Sequence, residues 1–327
     1  MVRTILVPLD GSAFAEHALP LALAIARRMD AALRLVQVHD PVATLAGMEG
    51  AIVDPGWDAA ARENERAYLD GAVERLRKLG AVPVTSALRD GPVAAAVDAE
   101  AAVHQAALVV MTSHGRGGLS RLWLGSVADQ FIRRSTGTPI LLLRPHEAAP
   151  DFQNDAAPRH FLIPLDGSAL AEQILPPALA LGRALGADFT LLRAIDPLLP
   201  AGLDAEGFLV CGLDAAALPG LRADAETYLE RVAERLRKNG AVVRTRVVVN
   251  GRPELAILEA AAAPTDLTAL ATHGRGGMQR LLLGGVADKV LRGSSTPVLV
   301  LHPRGPTPDE EAPAASAAAW TTAGAAR

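Results

Sequence analysis

The segment Ile5-Leu-Val-Pro-Leu-Asp10-Gly-Ser12 recurs later in the chain as Leu162-Ile-Pro-Leu-Asp166-Gly-Ser168. An aliphatic run that ends in Asp-Gly-Ser is typical of a buried strand followed by a turn. A second segment, Ser113-His-Gly-Arg-Gly-Gly with Leu124-Gly-Ser-Val-Ala-Asp129, returns as Thr272-His-Gly-Arg-Gly-Gly with Leu283-Gly-Gly-Val-Ala-Asp288. The copies lie about 156 to 160 residues apart, which is the length of a whole domain. The sequence therefore predicts two similar domains from one duplication.

The composition is that of a soluble globular protein. Of 327 residues, 50% are hydrophobic and 21% are charged, and the formal net charge is −4. A dispersed, slightly acidic charge with only 3% aromatic residues argues against nucleic-acid binding. The sequence suggests no signal peptide and no apolar stretch long enough for a bilayer, and Cys211 is the single cysteine. We expect a cytoplasmic protein that binds neither nucleic acid nor membrane.

Short apolar runs alternate with helical patterns along both halves of the chain, which predicts parallel βαβ units. The expected fold is α/β, with two similar domains that are each a five-stranded parallel sheet with helices on both faces. Pro20 and Pro176 lie at matching places in a helical pattern, so we expect a kink or a late helix start there. The predicted strands are Thr4–Leu9, Leu33–Val38, Val82–Leu88, Leu108–Met111 and Pro139–Leu143, then Phe161–Leu165, Phe189–Ala194, Val242–Val249, Leu267–Ala271 and Pro297–Leu301.

The domain boundaries follow from changes in composition. Domain 1 is expected at residues 1–146 and domain 2 at residues 159–304. The stretch 147–158 between them is rich in Ala, Pro and Asp and is interpreted as a linker. Residues 305–327 show little periodicity, so we expect a disordered tail.

Two features of each half are expected at the carboxyl ends of strands, where open α/β sheets bind ligands. The first is the aspartate that follows the first strand, Asp10 or Asp166. The second is the glycine-rich stretch after the fourth strand, which leads to the helix that begins at Gly125-Ser126. Glycines allow close backbone approach, and the first amides of a helix attract anions, so this stretch favours phosphate. Arg116 could add positive charge.

Several better-known site types are absent from the sequence. There is no G-x-x-x-x-G-K-[ST] phosphate loop, no G-x-G-x-x-G dinucleotide turn after the first strand and no G-x-S-x-G elbow. No His, Cys and carboxylate cluster has the spacing of a metal site, so no metal ligation by protein alone is expected. We assign no catalytic residue. His39 belongs to no recognisable cluster, and the charges of Glu63–Lys78 are interpreted as a solvated helix face.

At this point the motifs resemble those of the universal stress protein family. The resemblance rests on the first-strand segment, the Thr/Ser-His-Gly-Arg-Gly-Gly stretch, the Leu-Gly-Ser-Val-Ala-Asp helix start and the last strand, all in order and twice over. It implies an adenine-nucleotide α-hydrolase-like fold, and for some members ATP binding through G-x2-G-x9-G-[ST]. Carried over by position, the nucleotide-binding residues of the first half would be Pro8, Asp10, Val38, Met111, Thr112, His114, Gly115, Arg116, Gly125, Ser126 and Val127.

The second half departs further from that pattern. Gly285 replaces the Ser or Thr of the motif and Ala194 replaces Val38, whereas the first half departs only by Thr112 in place of a glycine. A weaker second site is therefore expected, because one hydroxyl contact to a charged group is worth about 1.5–3 kcal/mol. It would comprise Pro164, Asp166, Ala194, Leu270, Ala271, His273, Gly274, Gly284, Gly285 and Val286.

The resemblance implies a stress-response protein that binds ATP, better in its first domain, and acts as a regulatory or protective module with at most slow hydrolysis. Mg²⁺ would arrive with the nucleotide, with Asp10 as a possible contact, and AMP or a cyclic nucleotide remains open in place of ATP. The alternative is a nucleotide-independent interaction module whose fifth strands pair the two domains into an intramolecular pseudo-dimer. A homodimer of the chain is also possible. A true ATPase is the least favoured interpretation.

Overall fold

The computed structural model describes residues 3–40, 55–80, 82–113, 124–135, 137–145, 149–152, 157–196, 198–203, 209–213, 217–262, 265–272 and 284–304. The elements of the first half are β1 Arg3–Leu9, α1 Ala13–Glu16, α2 Ala18–Met29, β2 Ala31–His39, α3 Pro55–Lys78, β3 Val84–Asp90, α4 Val93–Val103, β4 Leu108–Thr112, α5 Ser126–Arg134 and β5 Ile140–Leu143. Those of the second half are β6 His160–Pro164, α6 Ala169–Glu172, α7 Leu175–Leu185, β7 Asp188–Ile195, β8 Leu198–Leu203, β9 Leu209–Leu213, α8 Leu218–Arg237, β10 Val243–Val249, α9 Pro253–Ala261, β11 Leu267–Ala271, α10 Gly285–Gly293 and β12 Val298–Leu301.

The two halves share one ten-stranded sheet, in the order β10-β7-β6-β11-β12-β5-β4-β1-β2-β3. Each half contributes five mutually parallel strands, as the sequence predicted. At the centre, β5 and β12 pair antiparallel, with Leu141 opposite Leu299. The expected pairing of the fifth strands is therefore present in the structure, and it covers two edges that would otherwise be open.

Helices cover both faces of the sheet, because its strands are apolar on both sides. Ile5 and Val7 belong to the core under α2 and α3, whereas Leu6, between them, belongs to the core under α4 and α5. The first of these cores continues across the junction, and it includes both Leu141 and Leu299. Helix α2 also packs against α7. The two domains thus share one hydrophobic interior.

The local details of the sequence explain several element ends. The predicted late helix start near Pro20 is confirmed, because α1 ends at Glu16 and α2 begins only at Ala18. Gly80 follows α3 with φ of +74°, a conformation that glycine adopts without a steric penalty. Cys211, the single cysteine, lies in β9 of the antiparallel β8–β9 hairpin. The predicted tail 305–327 lies outside the described residues.

Gly182 and Phe189 show how the duplicated cores have diverged. A Cβ atom at Gly182 of α7 would lie only 2.3 Å from Cζ of Phe189 on β7. Phe189 is buried edge-on against Phe161, with ring centroids 5.6 Å apart. The equivalent positions of the first half hold Ala26 and Leu33, which are both fully buried. The larger ring in the second half has therefore required the smaller helix residue.

We predict that Gly182→Ala lowers the free energy of unfolding by about 1–3 kcal/mol, because the new methyl group overpacks against Phe189. Adding Phe189→Leu should recover most of the lost melting temperature, since this pair reproduces the arrangement of Ala26 and Leu33. Thermal unfolding of the two single variants and the double variant measures this coupling. Additive effects of the two substitutions would contradict the account.

Candidate functional site

The carboxyl edge of each half contains an opening between two neighbouring strands. Strands β1 and β4 pair at Ile5–Leu108 and Leu6–Val109, and the register ends there although β1 continues to Leu9 and β4 to Thr112. On its other side β1 stays paired with β2 as far as Leu9. From β1 the chain continues to β2 and β3 on one side of β1, and then returns to β4 on the other side. The opening between β1 and β4 is therefore the point at which the strand order reverses.

Pro8 explains where the ladder ends. The carbonyl of Thr4 accepts a hydrogen bond from the Ala107 amide, so alternate residues of β1 from Thr4 onward direct their backbone towards β4. Pro8 is one of these residues, and it has no N–H to donate. The second half repeats the arrangement: His160 accepts from Asp266, β6 and β11 pair only at Phe161–Leu267 and Leu162–Thr268 among the described residues, and Pro164 follows.

Asp10 lies where β1 enters this opening, and it organises the turn that follows. Its Oδ1 atom accepts hydrogen bonds from the Ser12 backbone amide at 2.9 Å and from the Ser12 hydroxyl at 2.6 Å. Ser12 Oγ in turn caps α1 by accepting from the Ala15 amide at 3.2 Å. Gly11 has φ of +83°, which allows the tight turn. Helix α1 is thereby held against β1 and β4.

The second half builds the same turn with nearly the same distances. Asp166 Oδ1 accepts from Ser168 N at 2.9 Å and from Ser168 Oγ at 2.7 Å, and Ser168 caps α6 through the Ala171 amide at 3.1 Å. Ser12 and Ser168 therefore have the same helix-capping role in the two halves. Both aspartates therefore have a structural role in this turn, in whichever half a ligand binds.

A loop leaves the sheet after β4 and returns at the start of α5. Ser113 N donates to the Leu143 carbonyl at 2.7 Å, and Gly125 N donates to the Ser113 carbonyl at 2.7 Å, so the two ends of the loop are joined. In the second half Gly284 N donates to the Thr272 carbonyl at 2.8 Å. The predicted loop residues His114, Gly115 and Arg116, and likewise His273 and Gly274, lie outside the described residues.

The first turn of α5 lies directly after this closure. Gly125 is its N-cap, and none of the described side chains caps the helix. Ser126 is exposed at the first helical position, beside the first amides of α5, which have no intrahelical partners. The acidic residue of this turn, Asp129, is bonded to Arg133 Nε at 2.8 Å. The positive end of the helix dipole is thus combined with a neutralised carboxylate.

The corresponding turn of α10 has no hydroxyl. Gly285 takes the place of Ser126, and a Cβ atom built on it would meet no atom of the described residues within 4 Å. Val286 is exposed where Val127 is half-buried. The space for a side chain at position 285 is therefore open, and the difference between the halves is one of chemistry and not of backbone shape.

The other predicted residues lie on neighbouring strands of the same edge. Met111 and Thr112 end β4 and are both buried, and Val38 is half-buried near the end of β2. Their counterparts in the second half are Leu270, Ala271 and Ala194, of which Leu270 is buried. The structure thus brings Pro8, Asp10, Val38, Met111 and Thr112 to the carboxyl ends of three adjacent strands.

Sequence reasoning missed an ionic cluster beside Val38. The ring of His39, only 3% exposed, contacts Glu65 Oε2 through Nδ1 and Asp58 Oδ1 through Nε2, each at 2.8 Å. Arg62 contacts Asp58 at 2.8 Å and Asp90 at 2.5 Å. The interpretation of the α3 charges as a solvated face was therefore wrong for Glu65, which lies against a buried ring.

This cluster shifts the protonation of its members. Burial of the His39 ring disfavours its charged form, but the hydrogen bonds to Asp58 and Glu65 outweigh burial and raise the pKa of His39 above its usual range. The hydrogen bond from Arg62, and then the one from His39, lowers the pKa of Asp58. The sequence signal that could have revealed the cluster is the spacing of Asp58, Arg62 and Glu65 on one helical face.

The described residues contain no group of three or more His, Cys, Asp or Glu side chains that could hold a metal ion. None of the helices described is both long and apolar enough to cross a bilayer.

Comparison with known proteins gives one family match for each half of the chain. A model of the universal stress protein family matches residues 1–144 and again residues 158–302. A universal stress protein of Mycobacterium tuberculosis is 34% identical over 200 residues, which are 60% of this chain and 62% of that relative, so the match spans less than two thirds of its length. One from Mycolicibacterium smegmatis is 27% identical over 310 residues, covering 92% of this chain and 97% of the relative.

Solved structures share the fold over nearly the whole length. A universal stress protein of Archaeoglobus fulgidus has a TM-score of 0.63 at 16% identity and covers 91% of this chain and 96% of its own. One from Pseudomonas aeruginosa has a TM-score of 0.62 at 17% identity, with 92% and 93% covered. The duplicated motifs, the two parallel half-sheets and the two family matches lead to one conclusion: this chain belongs to the universal stress protein family and contains two of its domains.

Proposed function

We propose that the first half of this chain binds an adenine nucleotide, with ATP as the first candidate, in the opening between β1 and β4. The observation on which the proposal rests is that the β1–β4 ladder ends at Leu6–Val109, close to a helix start that no described side chain caps and that exposes Ser126. A cleft at a switch point next to a helix N-terminus suits a phosphate-bearing ligand. The protein would act as a regulatory or protective stress-response module in the cytoplasm.

Each part of the opening suits a different part of the nucleotide. The first amides of α5 and the hydroxyl of Ser126 would bind phosphate oxygens, with Gly125 and Val127 beside them. Pro8 and Asp10 would flank the sugar, and Val38 would contact the base. Met111 and Thr112 would form the β4 wall, and His114, Gly115 and Arg116 of the connecting loop would complete it.

Magnesium would arrive with the nucleotide. Asp10 is the nearest carboxylate of the proposed site, but its Oδ1 atom already accepts two hydrogen bonds from Ser12. The described residues hold no metal cluster of their own. Asp10 fits a single contact to a nucleotide-bound ion, in which the phosphates supply most of the ligands.

We propose little or no turnover. Phosphoryl transfer to water needs a group that orients the attacking water and positive charge at the transferred phosphate. Among the described residues of the opening, the only ionisable side chain is Asp10, and its Oδ1 atom is engaged in the turn. A binding module fits this composition better than an efficient ATPase.

The second half should bind the nucleotide less tightly. Gly285 offers no hydroxyl and Ala194 offers less apolar surface than Val38, whereas Pro164, Asp166, Leu270, Ala271, Gly284 and Val286 keep the same frame. Because the backbone amides of α10 remain, binding is weakened and not abolished.

We predict that Ser126→Gly weakens Mg-ATP binding about ten- to a hundredfold, the worth of one hydroxyl contact to a charged group. The reverse change, Gly285→Ser, should strengthen the second site, because its side chain enters open space. Calorimetric titration of both variants measures the two effects, with AMP and cAMP as comparison ligands.

Gly285→Ala is the matched control, because it fills the same space without a hydroxyl. A Gly285→Ser variant that binds no better than Gly285→Ala would contradict the assigned role of the hydroxyl. Unchanged affinity of Ser126→Gly for Mg-ATP would mean that the phosphate does not bind at the start of α5.

A second candidate function is that of a nucleotide-independent interaction module. The antiparallel pairing of β5 with β12, which buries Leu141 and Leu299, favours it. In this view the duplication serves to assemble two domains within one chain, and the glycine-rich loops are inherited architecture. Exposed β-edges recruit further strands, so pairing β5 with β12 within one chain removes these two edges as sites of self-association.

We predict that domain 1 expressed alone, as residues 1–146, dimerises through its unpaired β5 edge. Light scattering after size-exclusion chromatography measures its mass, and circular dichroism verifies its fold. Leu141→Lys in this fragment should give a monomer, since the lysine would have to be buried at the new junction. A folded wild-type monomer would contradict the role of β5, and a dimer that forms only with Mg-ATP would exclude the second candidate.

A further inference from the structure

The His39 cluster fastens the start of α3 to the carboxyl edge of the sheet. His39 is the last residue of β2, and its carbonyl accepts a hydrogen bond from Gly91 N, just after β3. Its ring reaches Asp58 in the first turn of α3 and Glu65 two turns later. One side chain therefore connects β2 with α3 at two points.

Arg62 extends the connection to the next strand. It lies between Asp58 and Asp90, and Asp90 is the last residue of β3. The charged groups around the His39 ring are thus Asp58, Arg62 and Glu65 from α3 and Asp90 from β3, with Asp40 next in the chain. Arg62 contacts two of the three carboxylates, Asp58 and Asp90, whereas Glu65 contacts the ring of His39. The cluster therefore has room for a second positive charge, which the imidazolium supplies.

The geometry of the ring requires that charge. Both ring nitrogens lie 2.8 Å from carboxylate oxygens, and a carboxylate can only accept a hydrogen bond. A neutral imidazole has one N–H, so it can serve Asp58 or Glu65 but not both. When His39 is neutral, a nitrogen lone pair faces a carboxylate in a site that is nearly closed to water. The two contacts together are stable only for the imidazolium.

The second half lacks the cluster. The helices can be aligned through equivalent ion pairs, because Arg75 of α3 contacts Glu16 and Arg235 of α8 contacts Glu172. By this alignment Leu218 and Ala225 replace Asp58 and Glu65, and Ile195 replaces His39. The three residues that make the ring contacts, His39, Asp58 and Glu65, therefore have apolar counterparts in the half that is also proposed to be the weaker nucleotide site.

The cluster lies next to the proposed base-binding wall. Val38 directly precedes His39, and the chain leaves β2 here and returns to the described structure at α3. The contacts that fix α3 against β2 also fix the end of β2, which carries Val38. A change in the cluster would shift this strand end without touching the residues that bind phosphate.

We propose that His39 is a positioning residue of the nucleotide site in the first half: as an imidazolium it ties the end of β2, which carries Val38, to the start of α3, and loss of its charge releases this connection and weakens nucleotide binding. Only the effect on nucleotide binding rests on the proposed function. Nucleotide binding by the first half would thus depend on pH in a way that binding by the second half does not.

The direction of the pH dependence follows from the raised pKa of His39. A histidine whose folded-state pKa exceeds its unfolded value stabilises the fold fully at pH values below the unfolded pKa. That stabilisation is lost as the pH rises through the folded pKa. The start of α3 is therefore held at mildly acidic pH and released as the pH rises through the folded-state pKa of His39.

Hydrogen exchange of the full chain tests the release directly. Amides in the first turns of α3 should lose about tenfold in protection between about pH 6 and pH 9, after correction for intrinsic rates, as expected for losing one charge-assisted hydrogen bond. The first turns of α8 serve as the control within the same molecule and should show no such change.

Two variants separate the charge of His39 from its bulk. His39→Asn should leave α3 weakly protected at every pH, with a flat profile. Glu65→Gln should leave it well protected at every pH, because the glutamine amide can donate to a neutral ring or accept from a charged one. Calorimetry with Mg-ATP should follow the same pattern, with affinity falling about tenfold at alkaline pH in wild type and staying constant in Glu65→Gln.

The outcomes distinguish the two proposals. Wild-type α3 protection that does not change with pH, or a Glu65→Gln profile identical to wild type, would overturn the role of His39. Protection that follows pH while Mg-ATP affinity stays constant would overturn its role in nucleotide binding. Protection that follows pH in a chain that binds no nucleotide at any pH would instead overturn the proposed function.

Discussion

The missing N–H of a proline determines where this sheet opens. Pro8 lies at a position whose backbone faces β4, and the β1–β4 ladder ends two residues earlier, at Leu6–Val109. No inserted loop is needed to separate the strands, because β1 and β4 both continue beyond their last shared ladder position. Pro164 has the same effect in the second half. Every element of the candidate site, from the Asp10 turn to the start of α5, is arranged around this opening.

Both halves have the same backbone arrangement around the opening. Differences in ligand binding between the halves can therefore be assigned to side chains. The Asp-Gly-Ser turns agree within about 0.1 Å in their hydrogen bonds. The core diverged with compensation, as with Gly182 and Phe189 against Ala26 and Leu33. At the carboxyl edge of the sheet, the residues of the two halves diverged without such compensation. Ser126 and the His39 cluster occur in the first half only, which concentrates the polar chemistry in one of two nearly equal frames.

Joining the halves through β5 and β12 has a separate consequence. The junction places a strongly apolar strand from each domain at the centre of one sheet, where both faces are covered. Each half could then lose ligand-binding residues without losing its structural role, because its core and its partner's core are continuous. This is a physical reason why the second half can keep its fold while Gly285 and Ile195 replace polar residues.

The sequence predicted most of this arrangement from local patterns. The bounds of α5 at Ser126–Arg134, the late start of α2 and the pairing of the fifth strands follow from period, turn residues and apolar edges. The His39 cluster did not follow, because it depends on the rotation of a long helix whose charged residues recur all along its length. The β8–β9 hairpin was also missed, since its flanking residues carry no strong turn signal.

The central claim is that the two frames are nearly equal but only the first is equipped for a nucleotide. Native mass spectrometry of the full chain with a moderate excess of Mg-ATP tests it most directly, because each bound nucleotide adds a fixed mass. The account predicts a single dominant species with one nucleotide per chain. Two nucleotides bound with equal affinity, or none at any concentration at which the fold persists, would contradict it.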